Sequence, residues 1–114
     1  MLSIETLRRF GANTQDGLGR CMNNEAFYLR LVNMALGDTN FAALEEAVSS
    51  GDKKAAFEAA HALKGVLANL ALTPLYEPAS KITELLRAGK DADYSALVGE
   101  LLRQREALAA LRES

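Results

Sequence analysis

From Asp52 to Leu72 the apolar residues recur three and four apart. At about 100° per residue, Ala56, Ala59, Ala60, Leu63, Val66, Leu67 and Leu70 gather on one broad face. That period commits the segment to an amphipathic helix that must bury its face against other helices. At about 1.5 Å per residue it is about 30 Å long, the length of a small bundle. The β-branched alternating runs expected of strands are missing, proline occurs twice, and Leu, Ala, Glu, Arg and Lys dominate. The class read from the chain is all-α.

Stop and start signals divide the remainder. Ser3 is read as the cap of a short helix carrying Ile4 and Leu7 and stopped near Gly11. Thr14 caps a second short stretch through Leu18 and Cys21, weakened by Gly17 and Gly19. Asn23 or Asn24 opens a firmer helix with Phe27, Leu31 and Met34 inward, ending at Gly37-Asp38. Thr39 or Asn40 opens the next, with Phe41, Leu44 and Val48 inward and Ser49-Ser50-Gly51 as its stop. Asp52 caps the long helix, which is expected to reach about Leu72. Thr73-Pro74 reads as a cap followed by proline in the first turn. The helix it opens runs to Ala88-Gly89, with a kink at Pro78 or a true start just before it. The last helix spans about Ala92 to Leu111, with Tyr94, Leu97, Val98, Leu101, Leu102, Leu108 and Leu111 inward. Short connections between long amphipathic helices predict an antiparallel, up-down-up-down four-helix bundle with a short N-terminal helical cap. Residues 1–114 are expected to form one domain, with no repeat and no linker.

Charge and cysteine usage narrow the partners. A net charge of −2 argues against a nucleic-acid binder. The apolar runs are too short and interrupted to span a membrane, and the first residues lack the pattern of a secretory signal. One cysteine, Cys21, forms no internal disulfide and is expected to be a half-buried small hydrophobe, in keeping with a reducing cytoplasm.

His61, the one histidine, falls nearly opposite the centre of the long helix's apolar face. Around it on the outer side come Lys54, Phe57, Lys64, Gly65 and Ala68. A single histidine in a helical domain is structural or incidental more often than functional, but four neighbours argue otherwise here. Lys64, at i+3, can reach an anion carried on the imidazole. Gly65 costs a mid-helix position about 1 kcal/mol relative to Ala, with no turn to explain it; a partner surface approaching the imidazole would. Ala68 keeps the next step of the face small. Phe57, one turn before, either marks an interaction surface or tucks sideways against a neighbouring helix. Glu58 and His61 form one Glu-x-x-His pair, but a di-metal bundle needs two such pairs and two more glutamates facing inward. No zinc motif and no phosphate-cradling glycine loop is present, so neither a metal nor ATP is expected.

His61-Ala62-Leu63-Lys64-Gly65, continuing through Ala68-Asn69-Leu70, resembles the signature of the histidine-containing phosphotransfer (HPt) domains of bacterial two-component phosphorelays. The family pattern, roughly His-x-Leu-Lys-Gly with small residues and then Asn-Leu-Gly, falls on the second long helix of a four-helix bundle. Val66 departs from it where a small polar residue is common, and Ala71 where glycine is usual. The resemblance implies that His61 accepts a phosphoryl group and Lys64 offsets its charge. Gly65, Ala68, Phe57, Lys54 and Asn69 would then lie on the docking face. The family often sets a polar side chain, frequently glutamine, on the following helix to orient the imidazole; Thr83 and Glu84 are the nearest candidates here. The implied partners are a response-regulator receiver domain, which supplies its own Mg²⁺, and a hybrid sensor histidine kinase. The chain would be a cytoplasmic carrier without cofactor or kinase activity. The competing reading is a helical interaction module that binds through the same face without phosphorylation.

Overall fold

The computed structural model of the chain describes residues 1–113, and among these it is built from helices alone. In chain order they are α1 (Ile4–Phe10), α2 (Thr14–Arg20), α3 (Glu25–Leu36), α4 (Asn40–Ser50), α5 (Lys53–Asn69), α6 (Thr73–Arg87) and α7 (Tyr94–Ala110), with a short 3-10 turn at Leu111–Glu113. Polar side chains close most of the starts. Ser3 and Thr6 form a reciprocal capping box on α1. Asn24, Asp52 and Asp93 each accept the amide of the residue three further on, at 3.0 Å. Gly51 ends α4 in the left-handed conformation that lets Asp52 start α5 at once.

Helix α5 packs on both α4 and α6, α6 on α7, and α7 closes back on α4. Within that ring Leu44, Leu63, Leu67, Leu75, Ile82, Leu101 and Leu108 are fully buried. Lys64 pairs with Glu84 and Lys53 with Asp91, so α5 and α6 run antiparallel along each other.

The N-terminal helices are fastened to the α5–α6 corner. The buried Tyr28 hydroxyl donates to the Leu70 carbonyl at 2.7 Å, and the Asn13 amide donates to Ala71 at 2.9 Å. Gly17 of α2 lies so close to the Tyr28 ring that a Cβ there would stand 2.5 Å from the hydroxyl oxygen. The end of α3 is tied to α7, where Arg105 donates to the Leu36 carbonyl at 2.8 Å and lies over the Phe41 ring.

Several expectations are corrected. Helix α3 turns Tyr28, Val32, Ala35 and Leu36 inward, and leaves Met34 exposed with Phe27 and Leu31 half-buried. Its face is thus rotated by one residue, because Tyr28 finds its hydroxyl partner at Leu70. Asn13, not Thr14, caps α2, and Thr14 is buried as its first residue. Helix α5 stops at Asn69, where Leu70 turns inward and Ala71 takes a positive φ of 55°. Leu72 stands at the cap of α6, Thr73 lies inside it, and the helix runs unbroken across Pro78 with no restart. The last helix begins at Tyr94 and ends at Ala110, and its fully inward residues are Val98, Leu101 and Leu108. Cys21 is buried rather than half-buried. No helix of the described residues is long and apolar enough to cross a membrane.

Candidate functional site

His61 stands in the middle of α5 on its exposed side, while Ala60 and Leu63 beside it are fully buried. Burial of Ala56, Ala59, Ala60, Leu63 and Leu67 fixes the helix's rotation, and that rotation sends the imidazole outward. Among the described residues His61 makes no hydrogen bond and no ion pair. Its ring stacks on that of Phe57, with centroids 5.6 Å apart and planes at 21°. Phe57 is half-buried, and the Arg87 guanidinium of α6 covers it at 5.2 Å. Of the two readings weighed for it, the sideways tuck holds: Phe57 packs under Arg87 of α6, and its ring also stacks on the imidazole.

Lys64 is not idle. Its ammonium meets the Glu84 carboxylate at 3.0 Å, and the other oxygen of Glu84 lies 3.3 Å from Arg87. The Lys64 hydrogen bond, helped by the Arg87 charge and opposed by burial, holds the Glu84 carboxyl below its ordinary range. Thr83 is fully buried and donates its hydroxyl to the Ala79 carbonyl at 2.8 Å, within its own helix. Neither Thr83 nor Glu84 is hydrogen-bonded to His61.

Gly65 opens onto free space: a Cβ built there meets no atom within 4 Å. No packing contact inside the described chain requires the glycine. Ala68 lines a depression of about 220 Å³ shared with Asp16, Thr73 and Tyr76. Asn69, at the end of the helix, is exposed and accepts from Arg20 of α2 at 3.4 Å. Across the helix, Val66 and Asn69 border a groove of about 330 Å³ with Leu31 and Met34 of α3. Lys54 is exposed at the other end of the face and forms no ion pair among the described residues. The described residues hold no cluster of three His, Cys, Asp or Glu placed to bind a metal ion.

Arg87, and the pairing of Glu84 with Lys64, escaped the sequence reading. A signal for them existed: Lys64 and Glu84 lie equally far on either side of Pro74, so an antiparallel hairpin about that corner brings them level.

An Hpt domain model matches residues 34–114, from the last turn of α3 through all of α4 to α7. No curated protein and no solved structure matches the chain. Hpt domains serve in general in histidine phosphotransfer within two-component phosphorelays, with receiver and kinase partners, as phosphocarrier modules rather than kinases. The match spans most of the chain and includes the helix on which His61 faces outward, and on that ground this chain belongs to the Hpt domain family.

Proposed function

We propose that the chain relays a phosphoryl group between receiver-domain aspartates through His61. The observation that carries this reading is the exposure of an imidazole free of hydrogen bonds, with Lys64 one turn on and open space at Gly65. A neutral imidazole nitrogen attacks the phosphorus of a receiver's aspartyl phosphate. The N–P bond forms as the acyl P–O bond breaks, the carboxylate leaves, and the imidazole sheds a proton to solvent. Reversal onto the aspartate of a second receiver completes the relay. Charge spreads over the three outer oxygens during transfer, and Lys64 offsets it from this side. The receiver brings Mg²⁺ and its own lysine; this chain binds no ATP and keeps no metal.

The same reading takes α4 to α7 as an up-down-up-down bundle capped by α1 to α3, working in the cytoplasm. Phe57, Lys54, Ala68 and Asn69 form the rest of the docking face, with Lys54 adding long-range attraction toward an acidic receiver pocket.

The test is transfer of label from a panel of radiolabelled, aspartyl-phosphorylated receiver domains, with His61→Gln as control. Acid-labile, alkali-stable label on the wild type and none on the variant is the expected result. Binding of receivers that is indifferent to both phosphorylation and the His61→Gln change would replace the relay with a non-phosphorylated interaction module.

A further inference from the structure

We infer that Glu84 is the resting counter-ion of the phosphoacceptor site, holding Lys64 where the phosphoryl group will claim it and so biasing the transfer equilibrium back toward the receiver. The inference rests on the relay reading and deepens it. Three contacts carry it. Lys64 Nζ lies 3.0 Å from Glu84 Oε2, Glu84 Oε1 lies 3.3 Å from Arg87 Nε, and the Arg87 guanidinium covers the ring that stacks on His61.

An ammonium already engaged with a carboxylate must leave it, or share itself, before it can neutralise a phosphoryl group. That cost disfavours the phosphorylated state. Arg87 makes the exchange feasible, because Glu84 keeps a cationic partner on its second oxygen when Lys64 departs. No carboxylate is left without a countercharge at either end of the exchange. Glu84 thereby acts through Lys64 as a positioning residue and touches none of the reacting atoms. This role differs from orienting the imidazole, for which Glu84 has no hydrogen bond to His61.

The experiment compares the wild type, Glu84→Gln, Lys64→Met and the double variant, each equilibrated with one aspartyl-phosphorylated receiver domain. Each is also phosphorylated separately with potassium phosphoramidate. Removing the carboxylate charge is expected to raise the equilibrium constant for the phosphohistidine form about two- to fivefold, the reach of an exposed ion pair. It should lengthen the phosphohistidine lifetime in step. The gain should vanish in the Lys64→Met background. Damage to the fold would lower phosphorylation, so the expected sign is not one a merely structural role produces.

A second readout follows the Glu84 carboxyl carbon by NMR. Its titration should move upward when His61 is phosphorylated and Lys64 is withdrawn. Equal phosphorylated fractions in wild type and Glu84→Gln, or a gain that persists without Lys64, would overturn the inference while leaving the relay intact. A wild type that takes no label from either donor would overturn both.

Discussion

The Phe57 ring lies against the imidazole of His61 at 5.6 Å between centroids, and the Arg87 guanidinium lies over the same ring at 5.2 Å. Among the described residues the imidazole is thus held by stacking rather than by a hydrogen bond. On the relay reading, one ring nitrogen is left for the phosphoryl group and the other for solvent. A stacked imidazole keeps a narrow range of side-chain angles without losing a lone pair, which suits a group that must attack and be attacked in turn.

Replacing Phe57 with Leu should therefore slow transfer while leaving the bundle folded. An aromatic pair contributes about 0.5–1.5 kcal/mol beyond burial, so the expected loss is about two- to tenfold in transfer rate. Single-turnover transfer from a phosphorylated receiver, read beside circular dichroism, checks it. An unchanged rate would mean that the stack does not position the imidazole.

Gly65→Gln separates stability from function. A Cβ built at this position meets nothing within 4 Å, so a side chain can start there without a clash. Exchanging a mid-helix glycine for a good helix former should stabilise the protein by about 0.5–1 kcal/mol. The same side chain stands one turn from His61, on the proposed docking face. Transfer should fall at least tenfold as the melting temperature rises. Fast transfer in this variant would leave the glycine without a functional reason.

Lys64→Ala should leave receiver docking near its wild-type affinity and slow transfer or shorten the phosphohistidine lifetime. Titration calorimetry and the decay of label measure the two separately. No change in either rate or lifetime would remove the ammonium's role in offsetting phosphoryl charge.

The helix that matters most was also the most legible. Gly51-Asp52 announces its start, and the alanine and leucine spacing fixes its inward face, so the outward direction of His61 follows from the sequence. Helix α3 was harder because it carries two apolar rows side by side. Phe27, Leu31 and Met34 make one, and Tyr28, Val32, Ala35 and Leu36 the other. The second row wins because Tyr28 reaches the carbonyl of Leu70 and because Gly17 makes room for its ring, and neither partner is local to α3. The Glu84–Lys64–Arg87 cluster was obscured for the same reason. Its members stand on two helices, and which residues meet is set by the geometry of the corner joining them.

That corner contains a strained residue. Ala71 sits at φ 55°, in the left-handed region where a side chain crowds the following carbonyl, at the position where glycine is usual in the resembling signature. Its carbonyl is held by the Asn13 amide, and the carbonyl before it by Tyr28. The surroundings impose the conformation against local preference. Ala71→Gly should relieve about 1 kcal/mol and raise the melting temperature by several degrees, with part of the gain offset by the greater freedom of glycine in the unfolded chain. A lower melting temperature would show that the buried methyl contributes more than the backbone strain removes.

The alkaline limit of stability should reside in Tyr28. Burial, with smaller contributions from Cys21 and Asp16, pushes its hydroxyl from 10.0 up to about 12. The folded state thus binds the phenolic proton more tightly than the unfolded state does. The stabilisation is fully present below pH 10 and is lost as the pH rises toward 12, because unfolding then releases a proton that folding had retained. Two pH units correspond to roughly 2–3 kcal/mol at the upper end of that window. Tyr28→Phe should flatten this part of the stability curve. At neutral pH it should cost about 1–3 kcal/mol, because the Leu70 carbonyl is left buried without its donor. Urea denaturation of both proteins between pH 7 and pH 11.5 makes the comparison. The two curves should converge as the pH rises, and parallel curves across that range would show that the Tyr28 hydroxyl is not the group whose ionisation loosens the fold.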